Sequence, residues 1–206
     1  GAVKEVMDEE IHSLIWKTTF HWITFFESLD AVSTSGTVTA DKDDVQLTTG
    51  AVSGNSANIV KTPAWQGLIT FSQKSYWRTN VSVGTITALT EYLVVGSLSS
   101  GSYYGFKIVN DALQGVSYDG TTESTVALRT IAAGNSYNLE ARFLPRNKIV
   151  FYVDGDERGT ISQNLPSPAD TPNVNFFEFK ITTNSAATKT MQVSFFEYLQ
   201  SRNVLR

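Results

Sequence analysis

From Thr18 onward the chain is written in short runs of β-branched and aromatic residues broken by Gly, Asn, Asp and Ser, and it never returns to a helical period. That punctuation constrains the fold more than any other feature. β-Branched and aromatic side chains suit a pleated, half-buried surface, so such runs between turn formers read as strands. The expected strands are Thr19–Leu29, Thr37–Ala40, Val45–Thr48, Ala57–Lys61, Leu68–Ser72, Tyr76–Val83, Tyr92–Leu98, Tyr104–Val109, Leu113–Tyr118, Thr125–Arg129, Tyr137–Leu144, Ile149–Val153, Arg158–Ile161, Asn175–Thr182 and Met191–Leu199. So many short strands at hairpin spacing predict an all-β sandwich.

The connections agree with that reading. Asp41-Lys42-Asp43-Asp44, Asp119-Gly120 and Asp154-Gly155 place turn formers between alternating runs, which predicts antiparallel hairpins. The prolines of Leu165–Pro172 cannot donate to a ladder, so that segment is expected to cross the surface as a loop. The 206 residues show no fixed-period repeat, and 41% apolar and 12% aromatic content suffices for one continuous core. Residues 18–206 are therefore expected to form one sandwich domain.

Residues 1–17 read differently. Met7, Ile11, Leu14 and Ile15 recur at helical spacing, and Asp8, Glu9 and Glu10 sit where a helix dipole favours acid, predicting a short amphipathic helix over Val3–Trp16. A helix of about 14 residues is marginal alone, so its apolar stripe needs a partner surface. Those four residues are the candidate contacts to a protein partner: the sandwich itself, a sister chain or a larger particle.

Charge and composition exclude several classes. Sixteen basic against twenty acidic side chains give a net charge of −4 without a Lys/Arg cluster, so nucleic acid is not an expected partner. The absence of cysteine excludes disulfides and thiolate metal sites. No apolar run approaches the roughly 20 residues of a membrane helix, and the start lacks a signal-peptide layout. The chain begins Gly1-Ala2 rather than with methionine, which leaves open an earlier segment that was removed.

A retaining glycosidase needs two carboxylates about 5 to 5.5 Å apart, which one strand supplies at i and i+2 or i+4. Glu91, Glu140, Glu157, Glu178 and Glu197 each stand alone in this sense. Arg142 beside Glu140 and Lys180 beside Glu178 read as charge pairs on a solvated face. The motif recurs as Phe25-Phe26-Glu27, Phe176-Phe177-Glu178 and Phe195-Phe196-Glu197, and alternation puts Glu178 and Glu197 on the face opposite Phe177 with Phe179 and Phe196 with Tyr198. Glu27, Glu178 and Glu197 could gather across neighbouring strands into a cation or acid site, but a polar outer face is the favoured reading. The first and last long strands, both carrying this motif, are expected to be sheet neighbours.

The only histidines, His12 and His21, are too few for a metal site or a triad, and Asp41–Asp44 lacks the spaced ligands of a calcium loop. No catalytic residue, metal or cofactor is expected, and the chain reads as not an enzyme. Among the aromatics, Trp77 lies within a strand and reads as core. Trp65, Tyr103 and Tyr104 lie near turns and are the candidate glycan contacts, because an aromatic face stacks against sugar C–H groups.

The stretch Tyr137-Asn138-Leu139-Glu140-Ala141-Arg142-Phe143-Leu144, followed by Lys148-Ile149-Val150-Phe151-Tyr152-Val153-Asp154-Gly155 and Gly159-Thr160-Ile161, resembles the late hairpins of concanavalin A-like and laminin G-like domains. Tyr104–Ile108 with Leu113–Val116 resembles their middle strands, and Met191–Tyr198 their C-terminal return strand. The resemblance covers about Thr19 to Arg202 and implies a concanavalin-like jelly roll of two antiparallel sheets. The Ser/Thr-rich style and Tyr198-Leu199-Gln200-Ser201-Arg202 are similar to lectin-like modules of bacteriophage virion proteins and surface-exposed bacterial proteins. That similarity implies a structural, non-catalytic virion accessory protein, such as a capsid decoration, fibre or tail component, displayed on a virion or extracellular surface. Glycan binding would be a second activity. A free carbohydrate-binding module or lectin, and a glycoside hydrolase, are the alternatives.

Overall fold

A computed structural model describes residues 19–24, 30–32, 35–41, 44–61, 70–99, 101–169 and 177–201. The described residues form strands β1 (Thr19–Thr24), β2 (Asp30–Val32), β3 (Gly36–Asp41), β4 (Asp44–Thr49), β5 (Ser56–Lys61), β6 (Ser75–Val83), β7 (Leu89–Gly96), β8 (Tyr103–Val109), β9 (Ala112–Tyr118), β10 (Glu123–Thr130), β11 (Ser136–Leu144), β12 (Lys148–Val153), β13 (Asp156–Ile161), β14 (Phe177–Thr183) and β15 (Thr190–Ser201). Among them there is no helix. The expected helix, with Met7, Ile11, Leu14 and Ile15, lies outside the described residues.

Two antiparallel sheets result. One has eight strands, in the order β13-β12-β11-β6-β15-β4-β3 with β1 paired to β15. The other has seven, in the order β10-β9-β8-β7-β14-β5-β2. Strand β15 is long enough to serve two neighbours along one side: Thr190–Val193 pairs with β4, and Phe196–Ser201 pairs with β1. The first and last strands are thus neighbours, with Thr24 opposite Phe196 and Trp22 opposite Tyr198.

Alternation explains the core. In β6 the residues Trp77, Val81 and Val83 face inward, and in β11 so do Leu139, Ala141 and Phe143, while the intervening positions are partly or fully exposed. Between the sheets, Trp77 meets Phe106 edge-on at 5.4 Å and Phe196 at 5.5 Å, and Phe196 lies 4.6 Å from Phe177. Burying each such ring contributes about 1.5–3 kcal/mol.

Two local expectations differ from the structure. Residues 70–72, expected to belong to a strand, enter and form a turn outside any ladder. Phe71 is nevertheless 2% exposed, edge-on to Tyr104 and Phe143, so its hydrophobicity serves the core as a plug rather than as a strand. The short β2 has no counterpart in the reading, because three residues are too few to display alternation.

Glu91 stands on the inner face of β7 between Leu89 and Leu93, opposite Ile181 of β14 and Ile108 of β8. It is fully buried, and neither carboxylate oxygen has a hydrogen-bond partner. Desolvation raises its pKa well above the ordinary carboxylate range, so the folded protein holds this acid neutral over a wide pH interval. A raised folded-state pKa gives stability that is fully present below the unfolded value, about 4.3, and is lost as pH rises through the folded value. Glu91→Leu should therefore stabilise the fold by about 1–3 kcal/mol at pH 4, the cost of an unsatisfied buried group, and by more at pH 8. Thermal unfolding of both proteins at the two pH values checks this; a variant that melts below wild type at pH 8 would refute it.

The β12–β13 hairpin turns on Asp154 (φ 55°) and Gly155 (φ 86°), both in the left-handed region that a two-residue turn of this twist requires. Asp154 also accepts the Asn138 N–H at 3.0 Å and pairs with Arg129 at 2.9 Å. Gly155→Val should cost roughly 1–2 kcal/mol, read as a lower urea midpoint with an unchanged slope.

Candidate functional site on the outer face of the seven-stranded sheet

Tyr103 and Tyr104 are consecutive in β8, so their side chains leave opposite faces of the sheet. Tyr104 goes inward: it is 0% exposed, its hydroxyl lies 2.7 Å from Ser75 Oγ, and its ring stacks on Phe143 at 5.0 Å. Expected as a glycan contact, it is instead part of the core, because its neighbour takes the outward position. Tyr103 goes outward and joins Val94 and Val116 in a second, smaller apolar cluster, over which Tyr92, Leu98 and Tyr118 pack. Trp65, the third expected contact, lies outside the described residues.

The register brings the polar groups to this cluster. Gly96, Tyr103, Tyr118 and Glu123 form one row across β7, β8, β9 and β10, and Tyr92 pairs with Lys107. The Tyr103 ring stacks on Tyr118 at 5.1 Å and meets Tyr92 edge-on at 6.2 Å. The Tyr103 and Tyr92 hydroxyls donate to the same Glu123 oxygen, Oε2, at 2.7 and 3.3 Å. Lys107 Nζ donates to Glu123 Oε1 at 2.5 Å and lies 5.1 Å from the Tyr92 ring centroid.

These contacts hold the protonation states. Burial, then the Glu123 hydrogen bond and charge, raises the Tyr103 pKa, so its phenol stays a donor. For Lys107 burial acts downward, but the hydrogen bonds and charges of Glu123 and Tyr92 outweigh it, and the ammonium is held charged. The result is a surface of tyrosine rings with a charged donor and acceptor fixed beside them. Sugars offer the complement: apolar C–H faces ringed by hydroxyls.

Glu123 was not among the expected site residues, since its role comes from strands 16 to 31 positions away in sequence. Glu178, on the same outer face, is 5% exposed and accepts the Leu98 N–H at 3.0 Å. Its strand is four strand spacings from that of Glu123, about 19 Å, too far for the two to act as a pair. Glu197 belongs to the other sheet, where it pairs with Arg78, so it does not gather with Glu178. Glu140 pairs with Arg142 at 2.6 Å, as expected. Glu27 lies outside the described residues, among which no group of three or more His, Cys, Asp or Glu could hold a metal.

No protein-family model matches the chain, and no curated protein matches it. Solved structures do. An endo-β-1,4-glucuronan lyase from Trichoderma reesei superposes with a TM-score of 0.60 at 9% identity, over 90% of this chain and 96% of that one. A β-1,3-1,4-glucanase (lichenase) from a mouse hindgut metagenome gives 0.63 at 10% identity, over 88% and 98%. The chain has the concanavalin-like jelly-roll fold. A structure of botulinum neurotoxin type C, whose cell entry depends on interaction with two ganglioside molecules, gives 0.57 at 10% identity, over 91% of this chain and 49% of that one.

The expectation that the chain is not an enzyme is corrected by this result: a lyase and a glucanase share the jelly roll over almost their whole length. The absence of a paired acid within one strand does not exclude catalysis, since a sheet also brings carboxylates together across strands, and pairs other than Glu27, Glu178 and Glu197 are possible. Glu140 and Glu197 both stand opposite Arg78 on neighbouring strands, about 9.5 Å apart by strand spacing.

Replacing Glu123 by Ala leaves the Tyr103 hydroxyl and the Lys107 ammonium without their acceptor in a largely buried setting. The expected loss is about 1–3 kcal/mol in urea unfolding, with Glu123→Gln losing less because its amide oxygen still accepts from a phenol. An unchanged midpoint for Glu123→Ala would show that the network is not cohesive.

Proposed function

We propose that this chain is a carbohydrate-binding module that contacts its glycan through the outer face of the seven-stranded sheet. The observation that carries the reading is the group of Tyr92, Tyr103 and Tyr118 with the Lys107–Glu123 pair. Tyr103 forms the covered base, and the half-buried Tyr92 and Tyr118 border it toward solvent. The ganglioside interaction of the neurotoxin and the polysaccharide substrates named for the lyase and the glucanase support glycans as the ligand class. Trp65 belongs to the proposal as a further contact from the segment following β5. Display on a virion or extracellular surface, with attachment through Met7, Ile11, Leu14 and Ile15, is also proposed, supported by the sequence resemblance alone.

The test is calorimetric titration and chemical-shift mapping with β-glucan oligosaccharides, oligoglucuronan and ganglioside headgroups. Shifts should centre on β7–β10, and Tyr92→Ala or Tyr118→Ala should each weaken binding roughly tenfold, about 1.4 kcal/mol. Shifts confined to the eight-stranded sheet, or no binding to any of these glycans, would overturn the proposal. The same oligosaccharides, followed chromatographically for shorter or unsaturated products, reveal turnover; its loss in Tyr103→Phe would assign it to this face.

A further inference from the structure

Leu98 follows the end of β7 and packs on the apolar cluster of Val94, Tyr103 and Val116, so it forms one wall of the proposed glycan site. Ser97 Oγ lies 3.2 Å from Ser99 Oγ and accepts the Ser99 N–H at 3.3 Å, which shapes the turn locally. Gly96, at φ 108°, lets the chain leave β7, since a side chain there would collide with the Ser102 carbonyl. Leu98 N–H also donates to Glu178 Oε2 at 3.0 Å, joining positions 80 residues apart.

A carboxylate that is 5% exposed on the outward face of an interior strand is costly to bury, and lining a solvated face would not require it. A backbone N–H aimed at it gives a charge-assisted hydrogen bond, stronger and more directional than a neutral one. We infer that Glu178 is a positioning residue: it fixes Leu98 over the Val94, Tyr103 and Val116 cluster and thereby sets the wall that a bound sugar ring meets. This rests on the reading of the outer face as the glycan site. Glu178 itself acts through Leu98.

The test compares Glu178→Gln, Glu178→Ala and Leu98→Ala. It reads glycan affinity by titration and exchange of the Leu98 amide by NMR. Glu178→Gln retains an acceptor and should rescue both, leaving affinity within about twofold and the amide protected. Glu178→Ala should speed Leu98 exchange while amides of β7 and β14 stay protected, and should weaken binding roughly tenfold, as should Leu98→Ala, which keeps the clamp but removes the wall. Full affinity in Leu98→Ala, or slow Leu98 exchange in Glu178→Ala, would overturn the inference. If Glu178→Ala does not fold, Glu178→Met, which keeps the side-chain volume but removes the acceptor, takes its place in both readings, with faster Leu98 exchange and weaker binding expected and wild-type behaviour overturning the inference. If wild type binds none of the glycans while Leu98 exchange follows Glu178 as described, the clamp stands and the glycan reading alone fails.

Discussion

Trp77, Phe106, Phe177, Phe179 and Phe196 meet between the two sheets, and the placement of other side chains follows from the strand register that brings these rings together. Because side chains alternate with a period of two, slipping any of these strands by one residue would carry its rings into solvent and its polar positions into the core. The aromatic contact therefore fixes more than stability. It decides that Tyr104 is core and Tyr103 is surface, and it aligns Gly96, Tyr103, Tyr118 and Glu123 in one row.

Three glutamates show how strongly the face decides chemistry. Glu91 faces inward, without a hydrogen-bond partner, and burial favours its neutral form. Glu123 faces outward on an edge strand and gathers two phenols and an ammonium. Glu178 faces outward from an interior strand and accepts a backbone N–H. All three stand in strands of the same sheet, and in isolation their side chains are identical. Their roles differ because desolvation, ion pairing and hydrogen bonding are properties of the surroundings.

The jelly roll is a scaffold that leaves its faces free to carry different chemistries, so the lyase, the glucanase and the neurotoxin can share it at identities near 10%. In this chain those faces carry a tyrosine cluster with a Lys–Glu pair on one, and Arg–Glu pairs interleaved with aromatic rings on the other.

The amino-acid sequence alone determined the strand-and-turn grammar. β11, β12 and β13 with their Asp154-Gly155 turn and the inward sense of Trp77 follow from alternation and turn chemistry among neighbouring residues. These signals are local, so they survive without coordinates. Tertiary structure decided what touches what. Phe71 became a core plug outside any strand, Tyr104 exchanged a binding role for a packing one, and Glu123 and Glu178 acquired partners 20 and 80 residues away. Such contacts depend on which strands lie side by side and in what register. That register is set by burying the whole core at once, so no single stretch of the chain carries it.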